Sequence, residues 1–168
     1  MSKRPPVLAV CGFKNAGKTT LIERVLPLLA DRGLKVAVIK RDGHRFEADV
    51  RDTDTRRFLQ AGAHGTAVFD GEKYMLVKRE AVSEDRFLAA FSDADLILLE
   101  GFKASSWPKI EVLRGDSAPV CDPASLIAFA LPEGTGAPEG ANVPAISRDD
   151  CAAFAELICA YARGGGKD

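Results

Sequence analysis

The sequence predicts an α/β fold with three layers, in which helices cover both faces of a mainly parallel sheet. Short apolar runs alternate with longer amphipathic stretches, as in chains whose strands are connected by helices. Some of these runs, such as residues 96–99, are apolar at every position, as expected for parallel strands that are buried on both faces. We find no internal repeat and no linker, so we expect one domain over residues 1–168, with flexible ends at 1–6 and 164–168.

The first predicted elements are a strand, a helix and a second strand. Residues 7–11 predict a buried strand, which a glycine-containing turn follows at once. Residues 19–32 carry apolar side chains at helical spacing, and Gly33 is suited to end this helix. Residues 35–40 are apolar on both faces, which predicts a central parallel strand.

The rest of the chain continues the alternation and includes a predicted β-hairpin. Residues 66–70 and 74–79 flank a short polar segment, which favours an antiparallel pair of strands. Residues 131–142 are rich in proline and glycine and predict a surface connection. The other predicted elements are helices over residues 52–61, 83–91 and about 149–162, and strands over residues 95–99, 110–113, 126–130 and 143–146.

The charge balance argues against some classes of partner. The chain of 168 residues has 23 Lys and Arg and 24 Asp and Glu, a formal net charge of -1. Proteins that coat nucleic acid or an anionic membrane need a basic excess, so we expect neither partner. The apolar runs are far shorter than the roughly 20 residues that span a bilayer, and the first residues lack the pattern of a signal peptide. We therefore expect a cytoplasmic protein.

The cysteine and histidine residues do not form a recognisable metal or redox motif. Cys11, Cys121, Cys151 and Cys159 have no C-x-x-C spacing, and the two histidines lie far from them in sequence. This spacing argues against a zinc site and against a redox pair. We expect free thiols, buried as small apolar side chains in a reducing, bacterial-type cytoplasm.

A complete phosphate-binding pattern lies between the first predicted strand and the first predicted helix. Residues 12–19 read GFKNAGKT and match G-x-x-x-x-G-K-[ST]. In such a P-loop the glycines let the backbone curve around an anion, N–H groups point inward, and the helix dipole adds positive charge. The alternative is a helix that is simply capped after a tight turn. The candidate nucleotide-binding residues of the loop are Gly12, Asn15, Ala16, Gly17, Lys18, Thr19 and Thr20.

Three side chains of this segment have distinct expected roles. Lys18 supplies a positive charge to the β- and γ-phosphates, and the Thr19 hydroxyl binds Mg²⁺. Thr20 is well placed for the α-phosphate. Together with the alternating strands and helices, these roles predict a P-loop NTPase fold that binds a nucleoside triphosphate with Mg²⁺.

Glu100 is the candidate acid of this site. The predicted strand over residues 95–99 delivers it to the carboxyl edge of the sheet, where ligands bind in open α/β sheets. Glutamate replaces the more usual aspartate here, so a water-mediated contact with Mg²⁺, a role as catalytic base and a merely solvated carboxylate all remain open. We take Lys18 and Glu100 as candidate catalytic residues, and Thr19 and Glu100 as candidate metal ligands.

Further polar side chains are expected at the same edge of the sheet. The second predicted strand ends in Lys40, and Asp42 and His44 follow it closely. Asp42 is a candidate for the Mg²⁺ shell, while Lys40 and His44 are candidates for phosphate or a second anionic ligand. Arg56 and Lys103 are also candidate anion contacts. For His44, Arg56 and Lys103 a solvated surface position is the alternative.

The sequence does not indicate which base the bound nucleotide carries. The chain has no Asn-Lys-x-Asp or Thr-Lys-x-Asp string, the usual guanine-reading device of regulatory GTPases. Residues 147–150, Ser-Arg-Asp-Asp, follow the last predicted strand in a suitable place, but they fit a helix cap with an acidic first turn equally well. No glutamine or arginine finger is identifiable, which favours slow turnover.

At this point the chain resembles the molybdopterin-guanine dinucleotide biosynthesis protein B (MobB) family. The resemblance covers about residues 7–160 and rests on four segments in order: VLAVCGFKNAGKTTLIERVLPLL, KVAVIKRDGH, DTDTRRFLQAGA and DLILLEGFKASSWPKIEVLR. It implies a P-loop fold in a homodimer that binds GTP with Mg²⁺ and hydrolyses it feebly. It also implies that the chain assists a guanylyltransferase partner, which joins GMP to molybdopterin.

The resemblance also implies roles by position. Residues 12–20 would hold the phosphates, and Thr19 and Glu100 would serve the magnesium ion. Asp42, His44 and Arg56 would line the adjacent groove, and molybdopterin is a candidate partner of the chain. A small-molecule kinase or ligase of the same fold, using ATP or GTP, is the alternative, and a scaffold that has lost nucleotide binding is a third possibility.

Overall fold

The computed structural model describes residues 4–41, 53–115 and 117–164. These residues divide into two units. The first unit comprises the described residues up to Arg41 and from Phe87 onward, and the second comprises the described residues between them. The organisation as one domain stays a prediction.

A six-stranded sheet forms the first unit, and every strand pair in it is parallel. Its strand order is β2-β5-β1-β6-β7-β8. The predicted mainly parallel α/β sheet is therefore confirmed. The elements of this unit are the strands β1 (Val7–Cys11), β2 (Val36–Lys40), β5 (Leu96–Glu100), β6 (Lys109–Val112), β7 (Leu126–Leu131) and β8 (Ala145–Ser147), the helices α1 (Lys18–Asp31) and α4 (Cys151–Arg163), and a 3₁₀ turn (Pro123–Ser125).

Helices cover both faces of this sheet. Successive residues of a strand point to opposite faces, so each strand contributes side chains to two separate clusters. Leu8 and Val10 of β1 face a cluster that α1 and α4 complete, whereas Val7 and Ala9 face a second cluster. Leu88, on the helix α3 (Glu84–Ala90), belongs to that second cluster, and Trp107 packs against it. No helix within the described ranges has the length and apolar character needed to cross a membrane.

The second unit contains a short helix and the β-hairpin. The helix α2 (Asp54–Gln60) begins after Thr53, whose side chain accepts a hydrogen bond from the Arg56 N–H. The strands β3 (Gly65–Phe69) and β4 (Tyr74–Lys78) pair antiparallel, with Thr66 opposite Val77. In the turn, the Asp70 carboxylate accepts hydrogen bonds from the backbone N–H groups of Glu72 and Lys73. The predicted hairpin is confirmed.

One strand occupies a different position from the one that its composition predicts. The apolar residues 35–40 predict a central strand, but β2 lies at an edge of the six-stranded sheet. Ile39 is buried, whereas Val38 is 36% exposed. The prediction of a central strand is therefore wrong. Apolar composition indicates that a strand is buried, but it does not indicate where the strand lies in the sheet.

Two cysteines meet despite their distance in the sequence. Cys11 ends β1, and Cys121 lies ahead of the 3₁₀ turn that leads into β7. The structure pairs their sulfur atoms as a disulfide, while Cys151 and Cys159 are free. The expectation of free thiols without a redox pair is wrong for these two residues. The two cysteines are 110 residues apart in the sequence, and only the packing of the strands brings them together.

Candidate nucleotide-binding site

The P-loop connects the end of β1 to the start of α1 and turns sharply at two glycines. Gly12 has φ of 134°, and a Cβ atom at this position would collide with the carbonyl oxygen of Val112 at the end of β6. Gly17, with φ of 101°, is the N-cap residue of α1. Between them, Ala16 is 1% exposed and packs into the core. The loop therefore follows the close turn that a glycine-bounded phosphate loop requires.

Lys18 is the first residue of α1, and its side chain reaches back across the loop. Its Nζ atom donates hydrogen bonds to the carbonyl oxygens of Gly12, at 3.2 Å, and Phe13, at 2.7 Å. Partial burial lowers the pKa of the Lys18 ammonium, Glu100 acts in the opposite direction, and Lys40 lowers the pKa further. Burial thus disfavours the charged form of Lys18, whereas an anion bound at this loop would favour it.

Thr19 and Glu100 form the second part of the site. The Thr19 hydroxyl donates a hydrogen bond to the Glu100 carboxylate, with an Oγ1–Oε1 distance of 2.7 Å. Glu100 ends β5, lies beside Val10 of β1 in the sheet, and is only 8% exposed. The arrangement brings a hydroxyl and a carboxylate oxygen together at the first turn of α1. Both are ligands of the type that Mg²⁺ prefers.

The end of β2 contributes a cation to the same place. Lys40 pairs with Glu100 in the parallel register, and its Nζ atom lies 3.5 Å from the Glu100 Oε1 atom. The carboxyl ends of β1, β2 and β5 therefore meet, as expected for neighbouring parallel strands. Lys103, in the turn after β5, is exposed. Its role as an anion contact stays a prediction.

Three of the predicted site residues lie outside the described part of the first unit. Asp42 and His44 lie outside the described residues. Arg56 belongs to the second unit, where its backbone N–H takes part in the cap of α2. The roles that the sequence and the resemblance suggest for these residues therefore stay predictions. The same holds for Thr20, which is exposed on the first turn of α1.

Residues 147–150 also have a clear local role. The Asp150 carboxylate accepts a hydrogen bond from the Ala153 N–H at 3.0 Å and thereby caps α4. Asp149 pairs with Arg24 of α1 at 2.8 Å. The helix-cap alternative is thus confirmed for Asp150, and the Asp149–Arg24 pair ties the segment to α1.

Sequence reasoning missed two buried charged side chains on β6, the strand that pairs with β1. Lys109 and Glu111 of β6 are both 0% exposed. Lys109 Nζ donates to the carbonyls of Ser105 and Trp107 and to the Ser125 hydroxyl. The Glu111 carboxylate accepts from the backbone N–H groups of Val120 and Cys121. The available signal in the sequence is the pair of charged residues at alternate positions of β6, which reads Lys-Ile-Glu-Val. Their hydrogen bonds hold the segments that flank β6.

Comparison with known proteins finds similarity over much of the chain. The family model described as MobB, molybdopterin guanine dinucleotide synthesis protein B, matches residues 7–131. A Haemophilus influenzae protein named molybdopterin-guanine dinucleotide biosynthesis adapter protein is 33% identical over 118 residues, which are 68% of this chain and 66% of that protein. An Escherichia coli protein of the same name is 34% identical over 115 residues, 65% of this chain and 66% of that protein.

Solved structures extend the similarity beyond the aligned sequence. The crystal structure of Bacillus subtilis MobB superposes with a TM-score of 0.73 and 28% identity, covering 92% of this chain and 96% of that one. The sequence matches are shorter, so this chain spans just under two thirds of the length of the curated relatives that it matches. Because the family model covers most of the chain and the fold agrees over nearly all of it, the chain belongs to the MobB family.

Proposed function

We propose that this chain is a cytoplasmic, GTP-binding accessory protein of molybdenum cofactor biosynthesis. It would assist a guanylyltransferase partner in converting molybdopterin to molybdopterin guanine dinucleotide. The names of the relatives, which call them adapter proteins, support this role. The observation that carries the nucleotide part is the Thr19–Glu100 hydrogen bond beside Lys18, inside the segment that the family model matches.

The chain's own residues account for binding and for charge. Lys18 would neutralise the β- and γ-phosphates, and the N–H groups at the start of α1 would donate to phosphate oxygens, since a helix leaves its first four N–H groups without intrahelical partners. Thr19 would bind Mg²⁺, and Glu100 would bind it directly or through a water molecule. Mg²⁺ would supply positive charge to the same phosphate oxygens. These features provide electrostatic stabilisation and support at most slow GTP hydrolysis.

The hairpin supports the homodimer that we also propose. Phe69 and Tyr74, which pair across β3 and β4, are 81% and 78% exposed, and Leu76 is 57% exposed. Large apolar side chains grouped on one exposed surface mark interaction sites in many soluble proteins. A second copy of this chain is the partner that we propose for this surface.

Ligand-induced stabilisation tests the nucleotide assignment. GTP with Mg²⁺ at 100 times its dissociation constant should add about 2.7 kcal/mol to the free energy of unfolding, visible as a higher melting temperature. ATP and GDP, each with and without Mg²⁺, provide the comparison. A larger response to GTP than to ATP supports the proposal, whereas an equal response to ATP argues against the guanine preference.

Two variants of the same loop sharpen this test. Lys18→Ala should abolish tight GTP binding in calorimetry and leave the fold intact, because it removes the ammonium beside the phosphates. Lys14→Ala is the matched control, since Lys14 is an exposed residue at a variable position of the motif. Unchanged affinity in Lys18→Ala would exclude this site. A phosphorylated acceptor among the products, in place of free phosphate, would favour the kinase alternative.

A further inference from the structure

Arg148 lies between β8 and α4, and its side chain reaches the P-loop. A methyl group placed on Gly17 would lie 4.0 Å from the Nη1 atom of Arg148. No other described atom outside the chain neighbours of Gly17 comes within that distance of the position. The Arg148 guanidinium is thus the group that borders the loop where α1 begins.

The backbone around Arg148 is held firmly. The Arg148 N–H donates a hydrogen bond to the carbonyl oxygen of Leu131, at the end of β7, with a distance of 2.7 Å. The neighbouring Asp149 is tied to Arg24 of α1, and Asp150 caps α4. Two flanking elements and the sheet therefore fix the position from which the Arg148 side chain extends.

Among the residues that the structure describes, no carboxylate compensates the charge of Arg148. Both neighbouring carboxylates are engaged elsewhere, Asp149 with Arg24 and Asp150 with the start of α4. Within the described parts of the chain, no carboxylate forms an ion pair with Arg148. Lys18 adds a second positive charge on the residue after Gly17. An anion bound in the loop would therefore be attracted by both positive charges.

We propose that Arg148 is a further nucleotide-binding residue, whose guanidinium contacts the phosphate chain of the bound nucleotide on the Gly17 side of the P-loop. This inference rests on the proposed nucleotide function. Phosphate is the favoured contact because Gly17 belongs to the backbone that wraps the phosphates, and a guanidinium forms paired, charge-assisted hydrogen bonds with phosphate oxygens. Stacking of the same group on the base is the competing geometry.

Inorganic tripolyphosphate separates these two geometries because it has neither base nor ribose. Calorimetric titration of the full chain with Mg²⁺ should show that Arg148→Gln binds both GTP and tripolyphosphate about tenfold more weakly than wild type, as expected for loss of one charged hydrogen bond. Arg148→Lys should recover most of the tripolyphosphate affinity, because it restores the positive charge. Arg163→Gln, the same change in the last turn of α4, is the control and should bind both ligands like wild type.

Each other outcome overturns the inference. If Arg148→Gln weakens GTP binding but not tripolyphosphate binding, the guanidinium contacts the base or ribose and not the phosphates. If neither affinity changes, while Lys18→Ala still abolishes binding, this inference fails and the proposed function stands. If the wild-type chain binds neither ligand, both fail together. Melting curves without ligand, recorded for every variant, verify that Arg148→Gln and Arg148→Lys are folded.

Discussion

Glu100 combines a structural contact with the charge that a magnesium site needs. Its Oε1 atom accepts the Thr19 hydroxyl at 2.7 Å and lies 3.5 Å from the Lys40 ammonium. A neutral amide of the same shape would keep an oxygen acceptor for Thr19 but would carry no negative charge. The two functions of the residue can therefore be separated by one substitution.

Glu100→Gln should weaken the Mg²⁺-dependent part of GTP binding about tenfold to hundredfold, as is typical when a group that supports a metal ligand is replaced. GTP binding in EDTA should change little. The measurement is calorimetry with and without Mg²⁺, and Glu139→Gln, the same change on the exposed β7–β8 connection, is the control. An unaltered Mg²⁺ dependence in Glu100→Gln would remove this residue from the metal site.

At the scale of elements, a tyrosine joins α4 to the first strand. The Tyr161 hydroxyl donates a hydrogen bond to the carbonyl oxygen of Val7, with a distance of 2.7 Å. Burial raises the pKa of this hydroxyl above its ordinary value. The protonated form is therefore the one that stabilises the contact between α4 and β1, immediately ahead of the P-loop.

Tyr161→Phe should lower the free energy of unfolding by about 1 kcal/mol near neutral pH, because it removes this hydrogen bond. A pKa that is higher in the folded state gives stability that is complete below the unfolded value, near 10, and is lost as the pH rises through the folded value. The deficit of the variant should thus shrink in strongly alkaline solution. Urea unfolding from pH 7 upward measures it, with Tyr74→Phe on the exposed hairpin as control. A deficit that persists at high pH contradicts the role given to the hydroxyl.

For the whole molecule, charge and exposed apolar area favour association. The formal net charge of -1 gives little long-range repulsion between copies. The hairpin meanwhile exposes Phe69 and Tyr74 almost completely. A surface of this kind is more stable when a partner covers it.

Light scattering should give the wild-type chain a mass near twice its 18.0 kDa. The double substitution Phe69→Ser and Tyr74→Ser should reduce that mass to the monomer value. Phe58→Ser, at a residue that is 60% exposed on α2, should leave the dimer intact. A wild-type monomer, or a dimer that survives the double substitution, would contradict the proposed interface.

Local patterns predict the elements well and their arrangement less well. The strand over residues 7–11 and the turn of the hairpin follow from composition and spacing alone, and the structure places β1 at Val7–Cys11. The P-loop is recognisable because its chemistry depends on consecutive residues. Three features depend on the order of the strands, which local sequence patterns do not indicate. They are the edge position of β2, the pairing of Cys11 with Cys121 and the approach of Arg148 to Gly17.

The strand β6 is another element whose surroundings the local sequence pattern does not predict. Its alternation of charged and apolar residues is typical of a strand with one face in water. The structure instead places β6 between β1 and β7, and both Lys109 and Glu111 are 0% exposed. The groups that hydrogen-bond both side chains lie in the turns before and after β6, outside the strand itself, so no pattern within the strand reveals their burial.

The enclosure of Lys109 has one consequence for the chemistry of the chain as a whole. Its amine is saturated by three acceptors and shielded from solvent on every side. A small electrophile therefore meets this nitrogen only after its cover opens, and that cover includes the turn that supplies the Ser105 and Trp107 carbonyls. The reactivity of Lys109 thus reports the opening of this turn and of the sheet beside it.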